Sequence, residues 1–206
     1  MQKFNEFISE AKRTGSGLHV FDIDDTLFHT SAKVRVMHGD KHVHTLSSSD
    51  YNTYKLQPGH HYDYSEFRSS NKFSNESEPM HRMLAKMRAI HRNVKKSPGS
   101  KVIINTARAD FDNKDQFLNA FRKHGVDIDN IHVHRAGNLK IPGTIGERKA
   151  AIIHSHLMTG GYKRASLYDD SVENLQHFLM LKRKHPDVQF KAYHVKPNGS
   201  VSRHHK

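Results

Sequence analysis

The sequence predicts an α/β fold in which a parallel sheet is covered by helices on both faces. From residue 80 onward, apolar segments of strand length alternate with segments whose apolar residues recur at helical spacing. This alternation is typical of a parallel sheet, because a helix must carry the chain back before the next parallel strand begins. Several apolar segments end abruptly in polar residues, which marks the ends of the strands. A chain of 206 residues can bury one core of its own, so we expect one domain.

The individual elements follow from apolar periodicity and from the residues that interrupt it. Residues 80–94 place Met83, Leu84, Met87 and Ile90 on one face of a helix. Gly125 ends a later helix, because glycine readily adopts the left-handed conformation found after a helix C-terminus. The predicted strands are 18–21, 101–106, 130–134, 164–168 and 189–195, and the predicted helices are 80–94, 114–124, 145–157 and 172–184. The polar, basic tail, residues 197–206, is expected to be mobile.

A long insertion, residues 28–79, separates the first strand from this regular region. Residues 33–46 predict a hairpin, because two alternating stretches flank a glycine-containing turn. Residues 47–79 are rich in Ser, Asn, Tyr and His and predict substrate-facing loops with a little helix. Aromatic and basic residues interleave there, which suits stacking on bases; the candidate substrate residues are Tyr51, Tyr54, Lys55, Arg68 and Lys72. Alternatively, the aromatic side chains anchor this segment onto the core.

Two acids directly follow the first predicted strand. Asp22 and Asp24 come after the apolar run 18–21, so both can reach one small space at the end of that strand. Carboxylates that lie so close repel each other, and a divalent cation with a preference for oxygen ligands would offset the repulsion. The alternative is an acidic turn that caps the next element. The pair therefore marks a candidate metal site.

Three later segments bring further polar residues to the same edge of the predicted sheet, where ligands of open α/β sheets bind. Thr106 ends the strand 101–106, Lys149 lies in the first turns of the helix 145–157, and Asp169 and Asp170 follow the strand 164–168. Together with Asp22-Ile23-Asp24-Asp25-Thr26, these segments resemble, in order, the four motifs of the haloacid dehalogenase (HAD) superfamily of phosphotransferases. The resemblance covers residues 17–195. It implies a HAD-like Rossmannoid sheet with a flap hairpin and a small cap inserted after the first strand.

The resemblance also implies a reaction and a cofactor. It implies a phosphatase that hydrolyses a phosphomonoester through an aspartyl-phosphate, with Asp22 as the nucleophile and Asp24 as the general acid and base. The implied cofactor is Mg²⁺, bound by Asp22, by the backbone carbonyl of Asp24 and by an acid of the fourth motif. Asp170 is expected to bind the metal directly. Asp169 is expected to support a metal ligand without touching the metal, or to reach the metal through water.

Three more residues receive roles from the same resemblance. Thr106 would donate a hydrogen bond to a phosphoryl oxygen. Lys149 would place positive charge beside Asp22 and the phosphoryl group, where negative charge must be accommodated. Arg108 would reach the substrate phosphate or, equally, pair with Asp110.

Composition limits the partners. The chain has 33 Lys and Arg against 21 Asp and Glu, a net charge of +12, and 19 His. A surplus of this size is typical of proteins that meet polyanions, so nucleic acid is an expected partner; the alternative is an incidentally basic surface. The absence of cysteine excludes disulfides and thiolate metal sites. No apolar run approaches the roughly 20 residues needed to span a bilayer, so no membrane partner is expected.

These observations leave three functional hypotheses. The leading one is hydrolysis of a terminal phosphate on a nucleotide or a nucleic acid. The first alternative is a phosphatase for another small phosphorylated metabolite. The second is a non-catalytic, basic, DNA-associated phage head protein on a HAD scaffold. No phosphate-binding loop of the Gly-x-x-x-x-Gly-Lys-Ser/Thr type is present, so a fused polynucleotide kinase is excluded.

The N-terminus, residues 1–16, is predicted to be a leader or helix followed by a connector, and residues 17–206 form the single domain. Phe4, Phe7 and Ile8 fall on one face of a helix. The segment resembles the capsid-targeting leaders of internal head proteins in T4-like tailed phages, with Ile8-Ser9-Glu10 as the cleavage sequence. The alternative is an ordinary helix that packs on the core. The expected location is the cytoplasm, which is that of the host for a phage protein, or the virion head.

Overall fold

The computed structural model describes residues 16–51 and 53–205, so the candidate leader at residues 1–10 lies outside the described residues. The strands are β1 (Gly17–Phe21), β2 (Phe28–His29), β3 (Val34–His38), β4 (Lys41–Leu46), β5 (His60–Asp63), β6 (Glu78–Pro79), β7 (Lys101–Thr106), β8 (His132–Arg135), β9 (Arg164–Asp169), β10 (Gln189–Val195) and β11 (Val201–His204). The α-helices are α1 (Ser48–Tyr51), α2 (Ser70–Glu76), α3 (His81–Lys95), α4 (Lys114–Arg122), α5 (Ile145–Gly160) and α6 (Val172–Met180). Short 3₁₀ turns cover Ser65–Arg68, Ile128–Asn130, Ala136–Asn138 and Leu181–Arg183.

A six-stranded sheet forms the centre of the fold, in the order β11-β10-β9-β1-β7-β8. All neighbouring strands are parallel except β10 and β11. Strand β1 lies between β9 and β7, and Asp22 continues this ladder because its backbone N–H donates to the Tyr168 carbonyl at 3.0 Å. The carboxyl ends of β1, β7 and β9 therefore meet at one edge of the sheet, where the candidate site residues lie.

Helices cover both faces of the sheet. On one face, Met83 of α3 and Phe121 of α4 belong to one buried cluster with Phe21. On the other face, Ile153 of α5 and Phe178 of α6 belong to a separate buried cluster with Val20. Neighbouring strand residues serve opposite faces because side chains alternate along a strand. The predicted α/β class, with a mostly parallel sheet flanked by helices, is confirmed. Within the described residues, no helix has the length and apolar composition needed to cross a membrane.

The C-terminal tail differs from the prediction. Residues 201–204 are not a mobile end but the edge strand β11, which pairs antiparallel with β10. The turn between them contains Gly199 at φ +73°, and the backbone N–H of Lys196 donates to the Ser200 carbonyl at 2.9 Å. The sequence Asn198-Gly199 is a strong hairpin signal. The tail was predicted to be mobile because it is polar. An edge strand can be polar, however, since one of its faces is in contact with water.

The insertion contains the predicted hairpin β3–β4, and also a strand that was not predicted. Strand β5 pairs antiparallel with β3, which completes a three-stranded sheet in the order β4-β3-β5. One face of this small sheet holds an apolar and aromatic cluster with the members Val34, Val36, Leu46, Tyr51, Tyr54, Tyr62 and Phe67. Strands β2 and β6 pair with each other and bring the two ends of the insertion together.

A pair of histidines joins edge strand β8 to helix α5. The Nε2 atoms of His134 and His156 lie 2.8 Å apart, and the His132 ring lies 4.2 Å from the His134 ring. Burial, helped by the nearby His132, His156 and Lys101, lowers the pKa of His134 to about 4. Burial also lowers the pKa of His156. Both rings are therefore neutral at pH 7, which permits the close contact.

Acid is expected to weaken this contact. The pKa of His134 is about 4 in the fold against 6.5 ordinarily, so the unfolded chain binds the extra proton first. The stabilisation is complete above pH 6.5 and is lost as the pH falls towards 4. Because His134 is only partly buried, we expect a loss on the order of 1 kcal/mol, discounted for solvent screening. Urea unfolding at pH 7 and pH 5 measures it: His134→Gln should flatten the pH dependence, whereas replacing exposed His61 should not. Equal pH dependence in wild type and His134→Gln would contradict the assignment.

Candidate active site

A buried carboxylate and a buried ammonium group meet at the carboxyl end of β1. Asp22 is 4% exposed and Lys149 is 2% exposed. The Lys149 Nζ donates to Asp22 Oδ1 at 2.7 Å and to Asp169 Oδ2 at 2.9 Å. Lys149 reaches this position because α5 begins at the same edge, where Thr144 and Glu147 form a capping box. The acid that follows β1 and the acid that ends β9 are thus joined through one lysine.

Three carboxylates form a candidate metal site. Asp22, Asp169 and Asp170 each offer an oxygen within 4.8 Å of the others. Both oxygens of Asp169 are already bonded: Oδ2 to Lys149, and Oδ1 to the Ser171 N–H and the Asn174 side chain, each at 2.9 Å. Across the described part of the chain, no group donates to the Asp170 carboxylate, which is half-buried and borders a cavity. Asp170 is therefore better placed than Asp169 to bind a metal directly.

The electrostatics of the cluster fit a divalent cation. Burial, together with the charges of Asp169 and Asp24 and against that of Lys149, raises the pKa of Asp22 to about 7. Burial and the charges of Asp169 and Asp22 also raise the pKa of Asp170 well above its ordinary value. One ammonium group thus faces three crowded carboxylates. A hard cation among these oxygens would balance the charge and favour the ionised acids.

Asp24 lies at the start of a tight turn just after the end of β1. The N–H groups of Leu27 and Phe28 donate to the Ile23 carbonyl at 2.8 and 3.1 Å. Asp25 adopts φ +53°, a left-handed conformation that aspartate tolerates better than most residues because its short polar side chain can bond locally. The turn explains why two acids so close in sequence have different partners: Asp22 binds Lys149, and Asp24 binds an arginine.

That arginine is Arg108, whose side chain is 1% exposed. Its Nε and Nη2 donate to the two oxygens of Asp24 at 3.1 and 2.7 Å. Of the two expected partners of Arg108, Asp110 is ruled out because it pairs with Arg135. Arg108 also lines the cavity described below, so contact with a substrate phosphate stays a prediction. Arg108 and Asp110 form no ion pair with each other. The buried guanidinium needs a partner at the sheet edge, whereas Asp110 is half-exposed.

Arg108 also connects the sheet to the insertion. Its Nη1 donates to the Phe67 carbonyl at 2.6 Å and its Nη2 to Thr30 Oγ1 at 3.1 Å. The guanidinium carbon lies 4.7 Å from the ring centre of Phe73 and 5.2 Å from that of Phe67, within range of cation–π attraction. One buried cation thus ties Asp24 to the end of β7 and to two segments of the insertion.

Thr106 ends β7 beside this group and is completely buried. Its Oγ1 accepts the backbone N–H of Arg108 at 3.2 Å. An accepting hydroxyl keeps its own proton to donate. Thr106 therefore keeps a proton to donate, although it is not among the residues that line the cavity described below.

A cavity of about 820 Å³ opens above these residues. Asp22, Asp24, Asp170 and Lys149 border it at the sheet edge. Its other walls come from the insertion and from the start of α5, through Tyr51, Tyr64, Phe67, Arg68, Thr144 and Arg148 among others. A space of this size suits a ligand as large as a nucleotide, since small-molecule sites measure roughly 300–1,000 Å³.

The structure divides the five candidate substrate residues of the insertion. Tyr51 and Arg68 line the cavity. Tyr54 packs on Tyr62 within the insertion, with ring centres 6.4 Å apart. Lys72 forms ion pairs with two glutamates at 3.3 and 3.1 Å, and Lys55 is exposed away from the cavity lining.

The sequence analysis did not select Tyr64. It lines the cavity, is 45% exposed, and its hydroxyl lies 2.9 Å from that of Tyr51. Its sequence signal is its place among the aromatic residues of the insertion. Positions two apart along an extended chain lie on one side, and the ring centres of Tyr62 and Tyr64 are 5.8 Å apart. Comparisons with protein-family models, curated proteins and solved structures found no match to this chain.

Proposed function

We propose that the protein is a Mg²⁺-dependent phosphomonoester hydrolase of the HAD type that works through an aspartyl-phosphate on Asp22. The observation that carries this proposal is the buried Asp22–Lys149–Asp169 group, with Asp170 beside it, at the floor of a cavity. A structural role alone gives no reason to crowd three carboxylates around one lysine, because buried charges are costly. A phosphoryl-transfer site needs this arrangement of nucleophile, cation and metal ligands.

Asp22 is placed for attack on phosphorus. Its Oδ1 is bonded to Lys149, which leaves Oδ2 to form the bond to phosphorus as the bond to the leaving oxygen breaks. Lys149 holds the carboxylate in one orientation and supplies positive charge, and Thr106 donates to a phosphoryl oxygen. Asp22 and Asp170, with the Asp24 carbonyl, would hold Mg²⁺, which supplies charge neutralisation when it is bound.

Asp24 serves as the acid and the base. Protonated Asp24 gives its proton to the leaving oxygen, and ionised Asp24 then takes one from the water that releases phosphate and restores Asp22. Arg108 bonds each oxygen of Asp24 once. A carboxylate has roughly four lone-pair positions, so two remain: they can carry the proton that goes to the leaving oxygen or accept one from the water. Arg108 therefore orients Asp24 without blocking it.

The cavity supports a nucleotide or a nucleic-acid end as the substrate. Tyr64 exposes nearly half of its surface, and Tyr51 and Phe67 stand beside it in the same lining. Aromatic rings of this kind stack on bases, at about 1–3 kcal/mol per base. Arg68, in the same lining, could pair with a further phosphate.

Release of phosphate from an aryl phosphate tests the proposal. We expect turnover with Mg²⁺, its abolition by EDTA, and turnover of nucleoside monophosphates or phosphate-ended oligonucleotides. Asp170→Asn should raise the Mg²⁺ concentration for half-maximal rate at least tenfold, because it removes a direct ligand. Mg²⁺ should also raise the melting temperature of the wild type but barely that of Asp170→Asn, since binding to the native state stabilises it. Asp187→Asn, an exposed acid, is the control. Failure of every phosphomonoester to react would refute the proposal.

A further inference from the structure

Helix α3, His81–Lys95, has more Lys and Arg than any other helix in the described part of the chain. Among its 15 residues are five Lys or Arg, two His and no acid. Its apolar face, which includes Met83, Leu84 and Met87, is already buried against the sheet. Its solvent side carries the basic residues, with exposed Ala85 and Asn93 among them. We call its five Lys and Arg residues the α3 basic face: Arg82, Lys86, Arg88, Arg92 and Lys95.

The fold neutralises little of this charge. Lys95 pairs with Asp127. Arg88 donates to the neutral carbonyl of His124 at 2.7 Å, which leaves its charge uncompensated. Arg82, Lys86 and Arg92 form no ion pair with any residue in 16–51 or 53–205.

Some basic residues elsewhere in the fold are neutralised by neighbouring acids. On the adjacent helix α4, Arg122 is held by Asp115 and Asp129 at 2.8 and 2.7 Å. In the insertion, Lys72 lies between Glu66 and Glu76. Lys182 and Lys184 also form no ion pair among the described residues, but α3 gathers five basic residues along one helix.

The α3 basic face also borders a groove. A cavity of about 400 Å³ lies between α3 and residues 125–127, and Arg88, His91, Arg92 and Lys95 line it. Gly125, at φ +69°, turns the chain sharply after α4 and forms the opposite wall. A concave surface with basic groups on one side raises the local concentration of anions more than a flat one.

We infer that the α3 basic face and its groove bind the phosphate backbone of nucleic acid. Lys and Arg on a helix side neutralise several phosphates at once, and release of the condensed counterions drives binding without regard to sequence. An anionic membrane fits less well. Helices that bind membranes insert an apolar face, whereas that of α3 is buried and none of the exposed large apolar side chains belongs to α3. The inference requires no phosphatase activity.

Binding of a hydroxyl-ended DNA duplex tests the inference, since such a duplex offers no terminal phosphate to the acid cluster. The variant Arg82→Gln/Lys86→Gln/Arg92→Gln removes the three unpaired charges, and glutamine keeps a helix propensity close to that of Lys and Arg. Fluorescence anisotropy from 50 to 200 mM salt should show at least a tenfold weaker affinity at the lowest salt. The slope of log affinity against log salt should flatten by up to about 0.9 for each lost phosphate contact.

A matched control removes the same number of charges elsewhere. Lys182→Gln/Arg183→Gln/Lys184→Gln changes three exposed basic residues after α6 and should retain most of the affinity. Both triple variants should keep the aryl-phosphate turnover and melting temperature of the wild type. Equal losses in the two variants, or no loss in the α3 variant, would overturn the inference. Binding to anionic lipid vesicles without binding to the duplex would overturn it as well.

Discussion

Replacement of Asp22 by asparagine is expected to lower kcat for an aryl phosphate by at least ~10³, about 4 kcal/mol of transition-state stabilisation. The amide keeps the shape of the carboxylate and can still accept the Lys149 hydrogen bond, but it is too weak a nucleophile to attack phosphorus. Steady-state phosphate release, with enzyme concentration set by intact folded protein, measures the loss. Acid-quenched wild type should carry a covalent phosphoryl group that Asp22→Asn lacks.

The fold of this variant is expected to survive. Lys149 keeps its second partner, Asp169, so the ammonium group does not become an unpaired buried charge. Loss of one carboxylate also relieves repulsion within the acid cluster. The matched control is Asp25→Asn, three residues along the chain. Asparagine tolerates the left-handed φ of +53° found there, so this variant should retain both fold and turnover. Near-wild-type turnover in Asp22→Asn would eliminate the aspartyl-phosphate mechanism.

The sheet could be predicted from sequence because its strands are buried on both faces. Residues 102–104 of β7 are continuously apolar and almost fully buried, so their pattern needs no knowledge of neighbours. Strand β5 is the opposite case. His60–Asp63 is a polar run that becomes a strand only because β3, more than 20 residues earlier, offers it an edge. Strand formation of that kind depends on distant pairing, which a local pattern does not contain.

The site shows the same division. Asp22, Thr106, Lys149 and Asp170 could be predicted together because each ends a strand or begins a helix at one edge of the sheet. The partner of Arg108 could not, since Asp110 is two residues away and Asp24 is 84 away. Burial beneath the rings of Phe73 and Phe117 decides the pairing, and it exists only in the assembled fold.

The net charge of a chain does not reveal which part of its surface binds a charged partner. The net charge of +12 predicts a polyanionic partner but not its position. The sequence analysis selected Lys55, Arg68 and Lys72 of the insertion, yet Lys72 is paired with two glutamates. A charge acts on a partner mainly where the fold leaves it uncompensated, as on Arg82, Lys86 and Arg92. Identification of that surface needs the ion pairs, which depend on contacts between distant segments.

Replacement of Arg108 by methionine is expected to lower the free energy of unfolding by about 3–5 kcal/mol, the usual cost of removing one partner of a buried ion pair. Asp24, with its side chain 13% exposed, would lose both of its guanidinium bonds. The Phe67 carbonyl and Thr30 hydroxyl would lose a donor as well. Urea unfolding measures the change. Arg135→Met, which breaks the half-exposed pair with Asp110, is the control and should cost less than about 1 kcal/mol.

A second variant separates the ion pair from the packing of the side chain. In Asp24→Asn/Arg108→Met no buried charge is left unpaired, so the double variant should be more stable than the sum of the single losses predicts. The kinetic consequence is distinct. Without Arg108, Asp24 loses its fixed orientation. Turnover of esters with poor leaving groups should then fall far more than turnover of activated aryl phosphates, because the latter need little protonation. An Arg108→Met protein as stable as Arg135→Met, with equal losses on both ester classes, would show that the arginine neither supports the insertion nor positions the acid.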